Sequence, residues 1–432
     1  MVRSAVVGVG QEAAGRAGFD PPPAPGPDDG SGSHPEIVAH PVETGSGRRV
    51  GEQTPAVSPE VLRARAYLSR VAEPPAPALA ALVDEVGPVE AAARVRAGRV
   101  DERVVAETSA RRAAHRPDAD LAAAAAAGVR LVTPEHGEWP AEAFEAFAVA
   151  GTAELTTPLA LWARGPGRLD ELCARAVAMV GSRAATPYGL RMAGELGAGV
   201  AERGWTLVSG GAVGIDGAAH RGALAVRGLT IAVLACGADR SYPRAHAELL
   251  ERIATTALVL SEYPPGGVPA RHRFLVRNRI IAALAAGTVV VEAGLRSGAQ
   301  RTASDAIALG RDVLAVPGPV SSATSAGCHG LIRDGAVLVT RTEEVLEAVG
   351  RLGVDLADPV RSDTVHPTDR LSPAAALVHD ALPARAARDT RWLAMEAGIP
   401  LDGVRAALTE LERCGLVQRF GGFWQRVSTG RG

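Results

Sequence analysis

From Ala176 to Pro319 a short apolar run is repeatedly followed by a Gly- or Ser-rich turn and then by a helical pattern. Ala176–Val180 leads into Gly181-Ser182-Arg183, and Thr206–Val208 into Ser209-Gly210-Gly211-Ala212-Val213-Gly214. Thr230–Leu234 leads into Ala235-Cys236-Gly237, Thr288–Glu292 into Ser297-Gly298, and Val313–Val316 into Pro317-Gly318. Unbroken apolar runs of this length, spaced by helices, read as strands covered on both faces, which is the pattern of a parallel sheet. The helices are expected near 187–203, 215–226, 244–252, 276–285, 299–309 and 342–349. The predicted fold is α/β and Rossmann-like, with a mostly parallel sheet. In such a sheet every turn lies at the carboxyl edge of its strand, so the turns gather along one rim.

The flanks have different patterns. Residues 1–56 are rich in Pro, Gly and polar groups and are expected to be a disordered tail, because they bury too little to offset chain entropy. Residues 57–165 read as a helical N-terminal module plus an extension: Ser58-Pro59 opens a helix, Pro77–Val86 and Pro88–Arg96 give two more, and Arg111–Ala127 adds further helical material. Val129–Val132 and Leu159–Trp162 read as strands. The Rossmann-like core spans 166–350, and 351–371 reads as an acidic linker. Over 372–427, helical patterns at 373–381, 388–396 and 401–414 precede strands Leu416–Arg419 and Phe423–Gln425, which meet at Gly421-Gly422. Three helices and a hairpin describe a winged helix. The expected recognition helix carries Asp402, Glu410 and Glu412 against Arg405 and Arg413, a mixture that does not favour a phosphate-lined groove.

Composition narrows the chemistry. The chain has no lysine, so all 46 basic residues are arginine, which excludes a Walker-A lysine and a Schiff-base lysine. A net charge of −2 leaves any nucleic-acid preference to local charge. Cys173, Cys236, Cys328 and Cys414 stand far apart without Cys-x-x-Cys spacing, so neither structural zinc nor a disulfide framework is expected. With no secretory h-region and no membrane-length apolar run, the expected location is cytoplasmic.

Four segments carry candidate chemistry. Gly181-Ser182-Arg183 brings peptide N–H groups, a hydroxyl and a guanidinium to a strand end. Ser209–Gly214, with Ser209, Gly210, Gly211 and Gly214, reads as a backbone cradle for an anion, followed by a helix opening with Asp216. Asp216 and His220 stand four apart on that helix and are a candidate pair. Arg271-His272-Arg273-Phe274-Leu275-Val276-Arg277-Asn278-Arg279 is the densest basic stretch, with an aromatic ring at its centre, as single-strand binding requires. Ser297-Gly298 adds a hydroxyl and an amide at a helix start.

Taken in order, Val180-Gly181-Ser182-Arg183, Ser209–His220, Tyr242-Pro243, Ser261–Gly266, Phe274-x-x-Arg277-Asn278-Arg279, Ser297-Gly298-x-x-x-Thr302-Ala303, Val316-Pro317-Gly318 and Gly327–Ala336 resemble the DprA/Smf family. The resemblance implies an extended Rossmann fold and a recombination mediator without catalytic activity or cofactor. Such a protein binds single-stranded DNA, forms a homodimer and helps to load the RecA recombinase during natural transformation. Carried over by position, Arg183 and the Ser209–Gly214 cradle hold phosphate, and Phe274 with Arg271, Arg273, Arg277 and Arg279 lines the strand path. Asn278 braces that stretch. The N-terminal module departs from helix–hairpin–helix units in having Glu73-Pro74-Pro75 in place of a Gly-x-Gly turn.

The alternative is a nucleotide phosphoribohydrolase of the lysine-decarboxylase-like group, whose Pro-Gly-Gly-x-Gly-Thr-x-x-Glu motif falls near Thr302. Its middle glycine and its glutamate are missing, which leaves Asp305 as a lone candidate acid. A third reading is a winged-helix regulator whose core senses a nucleotide.

Overall fold

The computed structural model describes residues 57–350, 368, 371–383 and 386–427. The expected tail and nearly all of the expected linker lie outside these residues. The amino-terminal helices are α1 (Pro59–Val71), α2 (Pro77–Val86), α3 (Pro88–Ala97), α4 (Glu102–Thr108) and α5 (Pro117–Ala126). Capping fixes where α1 begins: the Ser58 hydroxyl accepts from Val61 N–H, and Pro59 occupies the first turn, where no donor is needed. Tyr67, Leu68, Leu79, Val83, Ala91, Val95 and Val104 form a small core among α1–α4.

The sheet elements follow in chain order as β1 (Val129–Val132), α6 (Ala141–Ala150), β2 (Leu161–Arg164), α7 (Leu169–Cys173), β3 (Ala176–Val180), α8 (Pro187–Glu202), β4 (Thr206–Ser209) and α9 (Ile215–Ala225). They continue with β5 (Thr230–Leu234), α10 (Ala247–Thr256), β6 (Leu258–Ser261), α11 (Arg271–Ala283), β7 (Gly287–Val290), α12 (Gly298–Ala308), β8 (Asp312–Ala315), α13 (Ala326–Arg333), β9 (Val337–Leu338) and α14 (Thr342–Val349). The nine strands lie in the order β1-β2-β6-β5-β4-β3-β7-β8-β9. β1–β2 and β2–β6 are antiparallel, and the remaining pairs are parallel. The mostly parallel α/β sheet is therefore present.

Alternation along each strand divides the core. Val177 and Met179 of β3 face α8, α9 and α14, together with Leu207, Val289 and Leu314. Ala176, Ala178 and Val180 face the opposite way, with Ile280, Ile281, Ala303 and Ala306 of α11 and α12. α8 and α9 pack backbone to backbone: a Cβ at Gly197 would lie 2.5 Å from the Ala219 carbonyl oxygen, so only glycine fits.

Two differences from the expected elements matter for the site. The basic stretch is not a loop ahead of a helix at 276–285; α11 begins at Arg271, so the stretch forms its first turns. The strands β6 and β9 and the helices α4, α6, α7 and α13 are not among the expected elements. At the carboxyl end, α15 (Pro373–Ala381), α16 (Thr390–Ala397) and α17 (Leu401–Arg413) accompany an antiparallel sheet of order β10-β12-β11. Its strands are Arg388–Asp389, Phe423–Arg426 and Val417–Phe420 respectively. Leu393, Val404, Leu408, Leu411 and Trp424 are buried together there.

Candidate nucleic-acid interface

β3 is the strand from which chain order runs in both directions: β4, β5 and β6 lie to one side, and β7, β8 and β9 to the other. Ligand crevices form at such a switch point, outside the carboxyl ends of the strands. A cleft of about 870 Å³ opens there. The turn after β3 contributes Gly181, Ser182 and Arg183; α11 contributes Arg271, His272, Phe274, Leu275, Arg277 and Asn278; and the start of α12 contributes Ser297, Gly298, Ala299 and Thr302. Tyr242, from the loop after β5, completes the wall.

An aromatic and cationic ledge runs along this wall. The Arg183 guanidinium carbon stands 5.0 Å from the centre of the Phe274 ring. Phe274 is half-buried, and its centroid lies 5.7 Å from that of Tyr242, with the rings tilted by 46°. Arg183 and Arg271 are exposed, so their charge is available to an anion. Sequence reasoning gave Tyr242 no role, although an exposed Tyr-Pro in a rim loop was the available signal.

The glycine cradle is already filled. Gly210 N–H and Ala212 N–H donate to the Asp216 carboxylate at 3.1 and 3.4 Å. Ser209 is fully buried and donates its hydroxyl to Met179 O at 2.6 Å. Ser209, Gly210, Gly211 and Gly214 do not line the cleft. The expectation that this turn holds an external phosphate is corrected: the peptide donors serve an internal anion. Gly214 has a different task, since at φ +90° it lets its backbone lie against the Ser182 and Arg183 carbonyls, where any Cβ would collide.

The same exchange occurs at α8. The Glu292 carboxylate accepts Thr186 N–H at 2.8 Å and the Thr186 hydroxyl at 2.6 Å. The Glu292 carbonyl accepts Ser182 N–H at 2.7 Å, which anchors the Gly181–Arg183 turn. Two helix N-termini at the rim thus carry carboxylates of the chain itself. α12 has no side-chain cap, and Gly298, exposed at its start, would meet nothing within 4 Å if it carried a Cβ. That end remains open to a ligand.

The arginines of α11 separate by role. Arg277 reaches the cleft but is buried, donating to Gly210 O at 2.8 Å, to Val233 O, and to Asn278 Oδ1 at 3.2 Å. Burial lowers its pKa to about 10, with Asp216 opposing and Arg183 adding to the fall, so it stays charged at pH 7. Burial raises the Asp216 pKa, and Arg277 and the two peptide donors work against that rise. Asn278 spans to α12, its Nδ2 donating to Gly298 O at 3.4 Å.

Arg273 and Arg279 do not line the cleft, where both were expected. Arg273 is held by both oxygens of Glu73 at 2.6 and 2.8 Å and stacks 4.4 Å from the Tyr263 ring. Arg279 forms a two-point pair with Glu262 at 2.7 and 2.9 Å. A helix turns by about 100° per residue, so consecutive members of a basic run face different neighbours.

Asp216 and His220 are not paired with each other. His220 is fully buried with Nδ1 2.7 Å from the Thr230 hydroxyl, which itself donates to Leu207 O. Burial lowers the His220 pKa to about 3. No group of His, Cys, Asp and Glu among the described residues could hold a metal ion.

Residues 130–350 match the family described as DNA recombination-mediator protein A. The chain belongs to that family. A DNA processing protein DprA of Mycobacterium tuberculosis is 52% identical over 373 residues, which are 86% of this chain and 95% of the relative. The Escherichia coli protein Smf is 37% identical over 301 residues, 69% of this chain and 79% of its own length. The X-ray structure of DNA processing protein A from Streptococcus pneumoniae superimposes with a TM-score of 0.54 at 30% identity, covering 68% of this chain and 99% of that one. The family is one of DNA-binding mediators and not of enzymes. Asp305, the lone candidate acid of the alternative reading, accepts a hydrogen bond from Arg301 at 2.9 Å.

Proposed function

We propose that this protein binds single-stranded DNA in the cleft at the β3/β7 switch point and passes the strand to a RecA recombinase, as a cytoplasmic homodimer in DNA uptake. The observation that carries the reading is the Arg183–Phe274–Tyr242 ledge on the cleft wall. An unpaired base has a free π-face to lay on such rings, whereas a duplex keeps its faces stacked inside. Arg183, Arg271 and the open end of α12 supply phosphate partners, with Ser182 and Ser297 beside them. Little sequence preference is expected from this ledge, because stacking and phosphate contacts do not read base edges. The helices of residues 57–126 act as a separate module, and α15–α17 with their sheet act as a winged helix. Among the described residues no helix is long and apolar enough to cross a membrane.

The test is fluorescence anisotropy with single- and double-stranded oligonucleotides at two salt concentrations. Single strands should bind tighter, with affinity falling as salt rises. Arg183→Ala and Phe274→Ala should each weaken binding about tenfold for all sequences alike, since stacking on one ring contributes ~1–3 kcal/mol. Equal affinity for duplex, or unaltered binding by both variants, refutes the site.

A further inference from the structure

The amino-terminal helices carry a cluster of cations outside the cleft. Arg96, in the last turn of α3, Arg112 and His115 are all exposed and converge on Tyr67 of α1. Arg96 donates from Nη1 to His115 Nε2 at 3.3 Å. The His115 ring lies against Tyr67, with centroids 5.1 Å apart and planes tilted by 59°. On the other side Tyr67 donates its hydroxyl to Arg112 O at 3.1 Å. The Arg112 guanidinium lies on Gly98 at the end of α3, where a Cβ would stand 2.5 Å from Nη1.

The cluster lacks a counter-charge. Arg63, Arg65, Arg70, Arg94, Arg111 and Arg116 of the same module each pair with a carboxylate. Arg96 and Arg112 pair with no carboxylate among the described residues. Burial pushes the Tyr67 pKa up, and Arg96 and Arg112 both pull it down, with no carboxylate acting beside them. The negative end of α3 draws cations, which explains why they gather but leaves most of their donors free. Two guanidinium groups on one exposed surface are the footprint of a phosphate backbone, whose oxygens accept from the planar fork.

Contacts join this cluster to the cleft. His272, on the cleft wall, stands 2.9 Å from Glu73 Oε1, and Arg111 stands 2.5 Å from Glu73 Oε2. Arg112 is the next residue, so the cluster begins beside the group that touches the cleft wall. We infer that the amino-terminal module holds a second phosphate-binding patch, Arg96 and Arg112 with His115 orienting Arg96, which takes the backbone of the single strand where it leaves the cleft past His272.

This inference rests on the single-strand reading of the cleft. The experiment uses the full chain and anisotropy with two all-thymine strands: one of about 6 nucleotides, short enough to be held in the cleft alone, and one of about 20. In the double variant Arg96→Ala/Arg112→Ala the short strand should bind as in the parent. The long strand should lose about 1.4 from its slope of log affinity against log salt, about 0.7 for each phosphate contact. Over a fourfold rise in salt the parent should therefore lose about sevenfold more affinity for the long strand than the variant does. Arg96→Lys/Arg112→Lys keeps both charges and should keep the parent's slope, which separates lost charge from a disturbed fold. An unchanged long-strand slope in the alanine variant, an equal loss on the short strand, or a lysine variant that behaves like the alanine one overturns the patch and leaves the cleft reading standing. Arg183→Ala should weaken both strands; if it weakens neither, the cleft reading fails and the path from it to the patch falls as well.

Discussion

Arg277 looks in the sequence like a ligand contact, and its surroundings make it a tie of the fold. Replacing it with Met keeps most of the aliphatic volume and removes the guanidinium. Gly210 O and Val233 O then lose their charged donor inside the protein, each at ~1–3 kcal/mol. Asp216 also loses the positive charge that opposes its burial. Removing one member of a buried charged cluster costs about 3–5 kcal/mol. At roughly 2–4 °C per kcal/mol for a domain of this size, the melting temperature should fall by about 6–20 °C. Arg183→Ala is the matched control: it removes an exposed cation–π contact of ~0.5–1 kcal/mol and should barely move the melt. Oligonucleotide binding should show the reverse ranking. Arg183→Ala should reduce the slope of log affinity against log salt by about 0.7 for each lost phosphate contact. Thermal and urea denaturation followed by tryptophan fluorescence, paired with anisotropy, would test both halves. If Arg277→Met melts within about 2 °C of the parent while losing as much binding as Arg183→Ala, the argument from buried hydrogen bonds is wrong.

Two further expectations concern buried or half-buried charge. Glu73 gathers Arg111, His272 and Arg273, and these contacts hold its pKa near 2 against the opposing effect of burial. A depressed carboxylate contributes stability that is complete above its unfolded pKa near 4.5 and is lost as pH falls toward 2. Discounted for its partial exposure, that contribution is ~1–2 kcal/mol. Glu73→Gln should lower the melt at pH 7 and lack this acid-induced loss, while releasing His272 at the cleft wall to strengthen oligonucleotide binding; weaker binding would contradict the placement of these groups. His220, with its pKa lowered to about 3, must stay neutral to remain buried. Its contribution is complete above pH 6.5 and is lost on acidification toward 3, with a slope of up to ~1.4 kcal/mol per pH unit. Urea midpoints at pH 7.5, 6.5 and 5.5 should fall in the parent and stay flatter in His220→Gln, and parallel curves would show that the histidine is not the titrating group.

The apolar strand runs, the Ser58-Pro59 helix opening and the order of the glycine turns determined the first helix start, the sheet class and the position of its rim from sequence alone. These are local properties: a strand buried on both faces must be apolar throughout, and a helix start needs its own acceptor. The Arg183–Phe274 pairing was foreseeable as a juxtaposition of rim segments. The roles of the basic and glycine-rich positions were decided by tertiary structure. Peptide donors in the Ser209–Gly214 turn look free until Asp216 folds back onto them, and α11 sends Arg273 to Glu73, Arg277 to two carbonyls and Arg279 to Glu262. A guanidinium binds whichever acceptor the fold brings within reach, and residues up to 200 positions away supply it. Sequence spacing names the donors, and only the packed chain chooses between a buried carboxylate and a ligand.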